Sequence, residues 1–281
     1  MTERAIRFGC EGEILFGIVH APQAPSELGV VVVVGGPQYR AGSHRHFVLL
    51  ARALAASGFA VLRFDVRGMG DSSGRQRNFE AISADIGAAI DALEVQVPQV
   101  RRVVLWGLCD GASAALLYLH DTADRRVHGL ILLNPWVRTE AGLARTHVKH
   151  YYTQRIRQRE FWAKLLCGHV GGKAWTGLLA SVRAQRGSVH DLGEGTFQTR
   201  MAKAWAAFDK NILLILSGDD YTAREFAEFT SASPVWRGKL DRATLQRVDL
   251  PGADHTLSGT RDQASLGQAM INWLGNRLAC G

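Results

Sequence analysis

The sequence predicts an α/β fold, built on a mostly parallel sheet of about eight strands with helices on both faces. Short apolar runs of strand length alternate with amphipathic stretches of helical period along most of the 281 residues. The run Val30–Val34 consists of five valines, and its length and β-branching are typical of a buried strand. Strands buried on both faces are expected where parallel neighbours are joined through helices.

Two strands open the predicted sheet, at residues 5–9 and 13–19, and a short turn at Glu11-Gly12 makes them antiparallel. The other predicted strands cover residues 30–34, 59–64, 103–106, 127–133, 212–216 and 245–250. Helices are predicted at residues 43–57, 78–97, 112–119 and 260–278. Ser43 and Asn78 are expected to cap the first two helices, since their side-chain oxygens can accept bonds from unpaired amides.

Residues 135–210 interrupt the alternation of strands and helices. They combine aromatic side chains with many bases and contain no clear strand. We expect a helical cap inserted after the sixth strand, over the carboxyl edge of the sheet, with residues 1–134 and 211–281 forming the core. The alternative to a cap is that this segment forms helices at the periphery of the fold.

The positive charge of the chain is concentrated in one segment. Residues 136–186 contain ten Lys or Arg and two Asp or Glu, a net charge of +8, whereas the remaining residues sum to −1. The positive electrostatic field of this segment would attract acidic molecules. An anionic acyl substrate, free or attached to a carrier, is therefore the expected partner. Nucleic acid is not expected, because the aromatic residues fit cap packing and no nucleic-acid-binding fold is indicated.

Other function classes are disfavoured by what the sequence lacks. No apolar run approaches the roughly 18 residues of a membrane span, and the charged N-terminal residues predict no signal peptide. Four cysteines, at positions 10, 109, 167 and 280, form no C-x-x-C pair, which argues against zinc and disulfides and suits the cytoplasm. Neither H-E-x-x-H nor a phosphate-binding loop of the Walker type is present, so neither a metal nor another cofactor is expected.

The pentapeptide Gly107–Gly111, of sequence G-L-C-D-G, carries the strongest chemical signal. It follows the apolar run Val103–Trp106 and precedes an apolar helical stretch. A strand, a sharp turn and a helix, with a nucleophile between two glycines, form the nucleophile elbow G-x-nucleophile-x-G. Cys109 occupies the nucleophile position here, and a small buried cysteine in a turn is the alternative interpretation.

A second match to the same pattern, Gly70–Gly74, places Ser72 at its centre. It follows a turn-rich stretch and runs into the polar residues Arg75–Asn78, so no strand enters it and no helix leaves it directly. Ser72 is therefore expected to be a loop residue without a catalytic role.

A thiol nucleophile needs a base, and the base needs an acid to orient it. In the fold that carries a nucleophile elbow, the three residues occur along the chain in the order nucleophile, acid, base. Asp219 and Asp220 both follow the strand after the cap, and Asp220 is favoured because a short loop then separates it from Gly218. His255, between the last strand and the final helix, is the expected base.

An oxyanion hole requires two N–H donors directed at the developing negative charge. The backbone amide of Asp110, at the helix N-terminus, is one candidate donor. The side-chain carboxylate of Asp110 is expected only to stabilise the helix, as an acidic residue in its first turn. Gly36 or Gln38 supplies the other, because Pro37 lacks an N–H, and Gly36 is favoured.

The loop at residues 38–45 leaves the carboxyl end of a central strand and is expected to line the substrate pocket. Gln38, His44 and Arg45 are its candidate substrate-binding residues. Helix capping and surface solvation are the alternative roles.

Together with residues 65–72 (D-V-R-G-M-G-D-S), these motifs resemble the α/β-hydrolase superfamily over essentially the whole chain. More narrowly, four segments resemble the exosortase A system-associated hydrolases, which are encoded beside protein-sorting and exopolysaccharide genes. They are residues 35–45, 107–111, 217–226 and 252–256.

The resemblance implies an α/β-hydrolase fold and a hydrolase activity, and it leaves the substrate open. A thiolate at Cys109, stabilised by a nearby imidazolium and a helix N-terminus, would attack esters or thioesters through an acyl-enzyme. Acyl transfer to an alcohol or amine is an alternative outcome, and dienelactone hydrolases and polyhydroxyalkanoate synthases show that elbow cysteines support both. A non-catalytic binding protein on a hydrolase scaffold is the second alternative.

Overall fold

The computed structural model describes residues 1–36, 38–138 and 195–277. Its strands are β1 (Thr2–Cys10), β2 (Glu13–Ala21), β3 (Leu28–Val33), β4 (Ala60–Phe64), β5 (Arg102–Leu108), β6 (Val127–Leu133), β7 (Asn211–Asp219) and β8 (Leu245–Asp254). Its helices are α1 (His46–Ala56), α2 (Ser83–Gln96), α3 (Asp110–Thr122), α4 (Phe197–Ala207), α5 (Tyr221–Ala232) and α6 (Thr260–Arg277). None of these helices is long and apolar enough to cross a membrane.

The strands form one eight-stranded sheet in the order β1-β2-β4-β3-β5-β6-β7-β8. β1 pairs with β2, and β2 with β4, in antiparallel register. All the other neighbours are parallel, so the carboxyl ends of β3 to β8 meet at one edge. The predicted fold class, a mostly parallel sheet of about eight strands covered by helices, is confirmed.

Apolar side chains on both faces of the central strands hold the helices to the sheet. The valines of β3 are fully buried, as expected for a strand covered from both sides. On one face α1 and α6 share a core with the sheet, in which Phe47 packs edge-on against Trp106 with ring centroids 5.3 Å apart. On the other face α2 and α3 pack on the strands, and α4 packs on α3.

The start of α1 differs from the sequence prediction. A one-turn 3-10 helix covers Ser43–Arg45, and α1 begins only at His46, without a side-chain cap. The Ser43 side chain therefore does not cap α1, and its carbonyl instead lies 2.6 Å from the His46 Nδ1 atom. Asn78 does act as a cap, but of the short 3-10 helix Phe79–Ala81 ahead of α2.

The chain divides into two compact units, residues 1–136 with 194–281 and residues 137–193. All the strands and helices named above belong to the first unit. It includes α4, so the last part of the segment expected to form the cap folds with the core. Residues 139–194 lie outside the described residues, and the helical cap stays a prediction for them.

A buried ion pair fixes the loop that follows β4. Arg67 donates from its backbone N and from Nε and Nη2 to the carboxylate of Asp85 in α2, at 2.7 to 3.1 Å. The side chains of Arg67 and Asp85 are 2% and 0% exposed. Arg67 also pairs with Glu11, an exposed residue in the β1–β2 turn. The pair thus joins the first hairpin, the loop after β4 and α2.

We expect Asp85→Ala to lower the free energy of unfolding by about 3–5 kcal/mol, because it leaves the buried Arg67 charge without its main partner. Urea denaturation would measure the change. The matched control is Asp91→Ala, which removes an exposed carboxylate paired with Arg126 and is expected to cost at most about 1 kcal/mol. Equal losses for the two variants would contradict the role given to burial.

Candidate active site

Cys109 lies at the turn between β5 and α3, at the carboxyl edge of the sheet. Its backbone has φ 59° and ψ −122°, a conformation that is strained for a residue with a Cβ atom. The surrounding backbone fixes it there, since its N–H donates to the Leu133 carbonyl at 2.9 Å and its carbonyl accepts from the Ala112 and Ser113 amides. A strained, strand-to-helix turn with a nucleophile at its apex is the geometry of a nucleophile elbow.

The two glycines of the elbow allow a close approach of backbones. A Cβ atom on Gly107 would lie 2.4 Å from the Gly111 carbonyl carbon, and one on Gly111 would lie 2.5 Å from the Val33 carbonyl oxygen. Real side chains essentially never approach backbone so closely, so both positions require glycine. The sequence pattern therefore corresponds to a physical crossing of α3 over the ends of β3 and β5.

Ser72, the centre of the competing pattern, has a structural role in the described residues. It is buried, its hydroxyl donates to the Asp65 carbonyl at 2.7 Å, and its oxygen accepts from the Phe16 amide at 2.9 Å. These bonds fasten the loop after β4 to β2. Because the Ser72 hydroxyl both donates and accepts in these structural hydrogen bonds, it is poorly placed to act as a nucleophile.

Asp220 and His255 meet at the carboxyl edge of the sheet. The His255 Nδ1 atom lies 2.8 Å from the Asp220 Oδ2 atom. The Asp220 side chain is 4% exposed, and its Oδ1 atom accepts from the Thr222 amide at 2.8 Å at the start of α5. Asp219, the competing acid, is 83% exposed and lies 3.8 Å from Arg224. The structure thus joins Asp220, and not Asp219, to His255.

The environment of His255 favours its protonated form. The hydrogen bond with Asp220 raises the pKa of His255, and the Asp110 and Asp254 carboxylates add to this effect, whereas burial opposes it. A carboxylate only accepts hydrogen bonds, so Nδ1 carries the proton in the bond to Asp220 and Nε2 is left as the basic atom. This is the arrangement required of a general base.

The loop that carries His255 is held by its neighbour Asp254. One carboxylate oxygen accepts from the backbone N of Thr256 at 2.9 Å and of Ser258 at 3.1 Å. The hydroxyls of the same two residues also donate to Asp254, and together these bonds lower the pKa of Asp254 to about 2. Hydrogen bonds within the loop therefore fix its conformation directly beside the His255 imidazole.

Asn134 is a site residue that the sequence analysis did not identify. It is fully buried at the end of β6, and its Nδ2 atom donates to Asp220 Oδ2 at 2.6 Å and to Ser217 Oγ at 2.9 Å. Its Oδ1 atom accepts from the Ser217 amide at 2.9 Å. A polar residue directly after an apolar strand and before Pro135 was the available signal. Asn134 orients the Asp220 carboxylate toward His255.

The Asp110 carboxylate lies against the loop after β3, which carries the predicted oxyanion donor Gly36. A Cβ atom on Gly35 would lie 2.1 Å from the Asp110 Oδ1 atom, and one on Gly36 would lie 3.4 Å from Oδ2. Burial raises the pKa of the Asp110 carboxyl, and the nearby backbone amides of Gly36 and Gly111 oppose that rise. The roles of Gly36, Gln38 and the Asp110 amide as oxyanion donors stay predictions.

The loop at residues 38–45 is anchored through Arg40. The Arg40 backbone N donates to Asp65 Oδ1 at 2.7 Å, and its guanidinium pairs with Asp65 and with Asp71. His44 and Arg45 are exposed and have left-handed backbones, with φ 51° and 60°. The Oε1 atom of Gln38 is buried and has no partner among the described residues. The pocket roles of Gln38, His44 and Arg45 stay predictions.

One family of known proteins matches more than half of the chain. The family model described as "Serine aminopeptidase, S33" matches residues 25–184. This range includes the elbow and the Gly36 loop, whereas Asp220 and His255 lie beyond it. A search of curated proteins gave no significant match.

Solved structures with the same fold cover nearly the whole chain. The Pyrococcus furiosus esterase Pf2001 superposes with a TM-score of 0.65 at 14% identity, over 99% of this chain and 93% of that chain. Est1E from Butyrivibrio proteoclasticus, solved with ferulic acid bound, gives 0.62 at 17% identity, over 98% and 100%. An alpha-beta serine hydrolase homologue from Coxiella burnetii gives 0.60 at 16% identity, over 98% of both chains. At these identities the similarity is evidence of the fold alone.

We expect Asp220→Asn to lower the pKa of His255, because the neutral amide no longer stabilises the imidazolium. The change is measurable by NMR titration of the His255 ring protons. Folding raises the His255 pKa, so this bond contributes stability fully below the unfolded pKa of about 6.5, and the contribution is lost as the pH rises through the folded value. The stability difference between wild type and Asp220→Asn should therefore shrink as the pH rises.

The matched control is Asp219→Asn, which removes a neighbouring carboxylate that is exposed to solvent. It should leave the titration of His255 unchanged. A lower pKa of His255 in Asp219→Asn than in Asp220→Asn would show that the assignment of the acid is wrong.

Proposed function

We propose, from the premise that the chain belongs to the serine aminopeptidase S33 family of α/β-hydrolases, that it hydrolyses esters or thioesters through a triad of Cys109, His255 and Asp220. The observation that supports this most is the 2.8 Å bond between the His255 Nδ1 and Asp220 Oδ2 atoms. It supplies an oriented base at the same sheet edge as the strained turn of Cys109. The family name refers to a serine enzyme, so a cysteine nucleophile belongs to our proposal.

In the first half of the reaction, His255 Nε2 takes the proton of the Cys109 thiol, and Sγ attacks the carbonyl carbon of the substrate. The charge that develops on the carbonyl oxygen is stabilised by amides at the start of α3 and in the loop after β3. When the tetrahedral intermediate collapses, the bond to the leaving group breaks. The imidazolium returns its proton to the departing alcohol or thiol, and Cys109 is left as a thioester.

In the second half, a water molecule takes the place of the leaving group. His255 removes a proton from the water, and the hydroxyl oxygen attacks the thioester carbon. Collapse breaks the bond between Sγ and the acyl carbon and releases the carboxylic acid, and the imidazolium returns its proton to Sγ, which restores the thiol. Asp220 holds the His255 ring in the required tautomer throughout and stabilises the imidazolium that forms twice.

The use of sulfur favours some substrates over others. Thiolates are potent nucleophiles toward activated acyl carbons, and a good leaving group makes the tetrahedral intermediate collapse forward. Alcohols and thiols leave more readily than amines, so esters and thioesters are favoured over amides. The thioester could also be attacked by an alcohol or amine instead of water, and product analysis would reveal this acyl transfer.

Two features of the sequence support a narrower proposal about the substrate. The segment at residues 136–186, with its net charge of +8, favours an anionic acyl compound or an acidic carrier. The motif resemblance to the exosortase A system-associated hydrolases favours a role beside exopolysaccharide or protein-sorting systems. An anionic saccharide ester or a carrier-bound acyl chain satisfies both.

We expect Cys109→Ala to lower turnover by a factor on the order of 10⁴ or more and to abolish acyl labelling, because no thioester can form. Intact-protein mass spectrometry after incubation with a panel of acyl esters and thioesters would measure the labelling and report the acyl preference. The matched control is Ser72→Ala, which removes a structural hydroxyl and should retain labelling at Cys109. Labelling that survives Cys109→Ala but not Ser72→Ala would refute the assignment.

We also expect kcat/KM for an anionic substrate to fall steeply as salt is added, because attraction between exposed charges is screened over about 8–10 Å at physiological ionic strength. Neutralising Arg155, Arg157 and Arg159 together should flatten this dependence. Steady-state rates on matched neutral and anionic esters from low to high salt would measure it. A rate that does not respond to salt, and is equal for both esters, would remove the basic segment from the proposal.

A further inference from the structure

Arg63 is a buried cation within the sheet. It lies on β4 between Ile18 of β2 and Val32 of β3, and it is 5% exposed. In the part of the chain that the structure describes, both of its side-chain hydrogen bonds go to neutral acceptors. Burial lowers the pKa of Arg63 to about 10, because the charged form loses its hydration. An apolar side chain would fill this position without that cost, so the guanidinium has to be explained by what it holds.

The guanidinium joins a neighbouring strand to the loop after β3. Its Nε atom donates to the His20 Nε2 atom on β2 at 2.8 Å, and its Nη1 atom donates to the Arg40 carbonyl oxygen at 2.6 Å. His20 is fully buried, and because its Nε2 atom accepts this bond, the ring is neutral with its proton on Nδ1. One edge of the rigid fork is thus fixed to the sheet, and the other reaches the backbone of the loop.

Arg63 forms one side of a clamp around Arg40. The Arg40 backbone N donates to the Asp65 Oδ1 atom at 2.7 Å, whereas its carbonyl oxygen accepts from Arg63. Asp65 is fully buried and follows directly after β4, so both sides of the clamp come from the end of one strand. Arg40 cannot move along the loop without breaking a hydrogen bond on one side or the other.

The clamped residue lies in the same loop as the predicted oxyanion donor Gly36. Gly35 and Gly36 have no side chains, and Gly36 adopts φ 58°, so the start of this loop has much conformational freedom of its own. An oxyanion donor is effective only if its direction is fixed before the charge develops. The restraint on the loop therefore has to come from beyond the two glycines, and the clamp at Arg40 supplies it.

We propose that Arg63 is a positioning residue, which holds the Arg40 carbonyl and thereby keeps the loop after β3 in the conformation that presents the oxyanion donor. This inference rests on the proposed role of Cys109. Because Arg63 acts through the loop, its loss should slow the steps that place negative charge on the substrate carbonyl oxygen. It should leave the intrinsic reactivity of the Cys109 thiolate unchanged.

The first test compares two reactions of Cys109 in one variant. Acylation by p-nitrophenyl acetate forms an oxyanion, whereas alkylation by iodoacetamide displaces iodide at a saturated carbon and needs no oxyanion donor. In Arg63→Met we expect acylation to be slower by about 10- to 100-fold, as when a catalytic group is misplaced, and alkylation to keep the wild-type rate. Single-turnover release of p-nitrophenolate measures the first rate, and mass spectrometry of the Cys109 peptide measures the second.

Two further variants complete this comparison. Arg63→Lys keeps the charge but lacks the fork that serves His20 and Arg40 together, so a smaller fall in acylation is expected. It carries the comparison if Arg63→Met does not fold. The matched control is Arg52→Met, which removes an exposed arginine of α1 that pairs with Glu3, and it should leave both rates unchanged.

The second test needs no catalysis and follows hydrogen exchange of the Arg40 amide by NMR. In both Arg63 variants we expect this exchange to be faster by about tenfold, because the clamp has lost a hydrogen bond and opens more often. The amide of Val31, in the buried strand β3, is the reference, since its exchange reports opening of the sheet itself. A faster exchange of Arg40 relative to Val31 locates the effect in the loop.

Two results would overturn the inference: acylation that falls no more than alkylation in the folded Arg63 variants, or exchange of the Arg40 amide that is no faster relative to Val31. Failure of the proposed function would look different. In that case the wild-type protein itself is not acylated at Cys109 by p-nitrophenyl acetate, whereas hydrogen exchange still decides whether Arg63 holds the loop.

Discussion

The close crossing of three backbone segments is the constraint on which the site depends. The end of β3, the end of β5 and the first turn of α3 meet where Gly35, Gly107 and Gly111 have no side chains. Because β3 and β5 are adjacent and parallel, this crossing can form only at their shared carboxyl edge. It forces Cys109 into its strained conformation and directs the α3 N-terminus at the loop that carries Gly36. The strained turn at Cys109 and the approach of the α3 N-terminus to this loop are consequences of the same packing.

Asp220 connects the remaining parts of the site. Its two oxygens accept from Asn134 after β6, from Thr222 at the start of α5 and from His255 after β8. Three elements that are distant in the chain are therefore fixed to one buried carboxylate. In a buried network of this kind the members strengthen one another, and losing one donor affects the orientation of the others. The position of the imidazole depends on β6 as much as on its own loop.

Patterns that are local in the chain predicted much of this arrangement. The five valines identified β3, and the spacing of glycines around Cys109 identified the elbow, because each requirement falls on residue types within one short stretch of chain, even where the contact itself is with a distant residue, as for Gly111 and Val33. The bond from Asn134 to Asp220 joins residues 86 positions apart, and no local pattern specifies it. The sequence analysis also did not predict the left-handed backbones of His44 and Arg45, which delay the start of α1 to His46. A positive φ is uncommon for residues other than glycine, so the residue types gave no sign of it.

Among the residues that the structure describes, the sheet order leaves β1 and β8 as the two edge strands, each with one row of backbone groups not used by a neighbouring strand. Exposed charges lie along both edges: Glu3 and Arg7 on β1, Arg247 and Asp249 on β8. Charged side chains on an edge strand oppose the addition of a further strand, since pairing would bring them close to a second chain. Self-association by sheet extension, the usual route from an open sheet to aggregates, is thus disfavoured at both ends of this one.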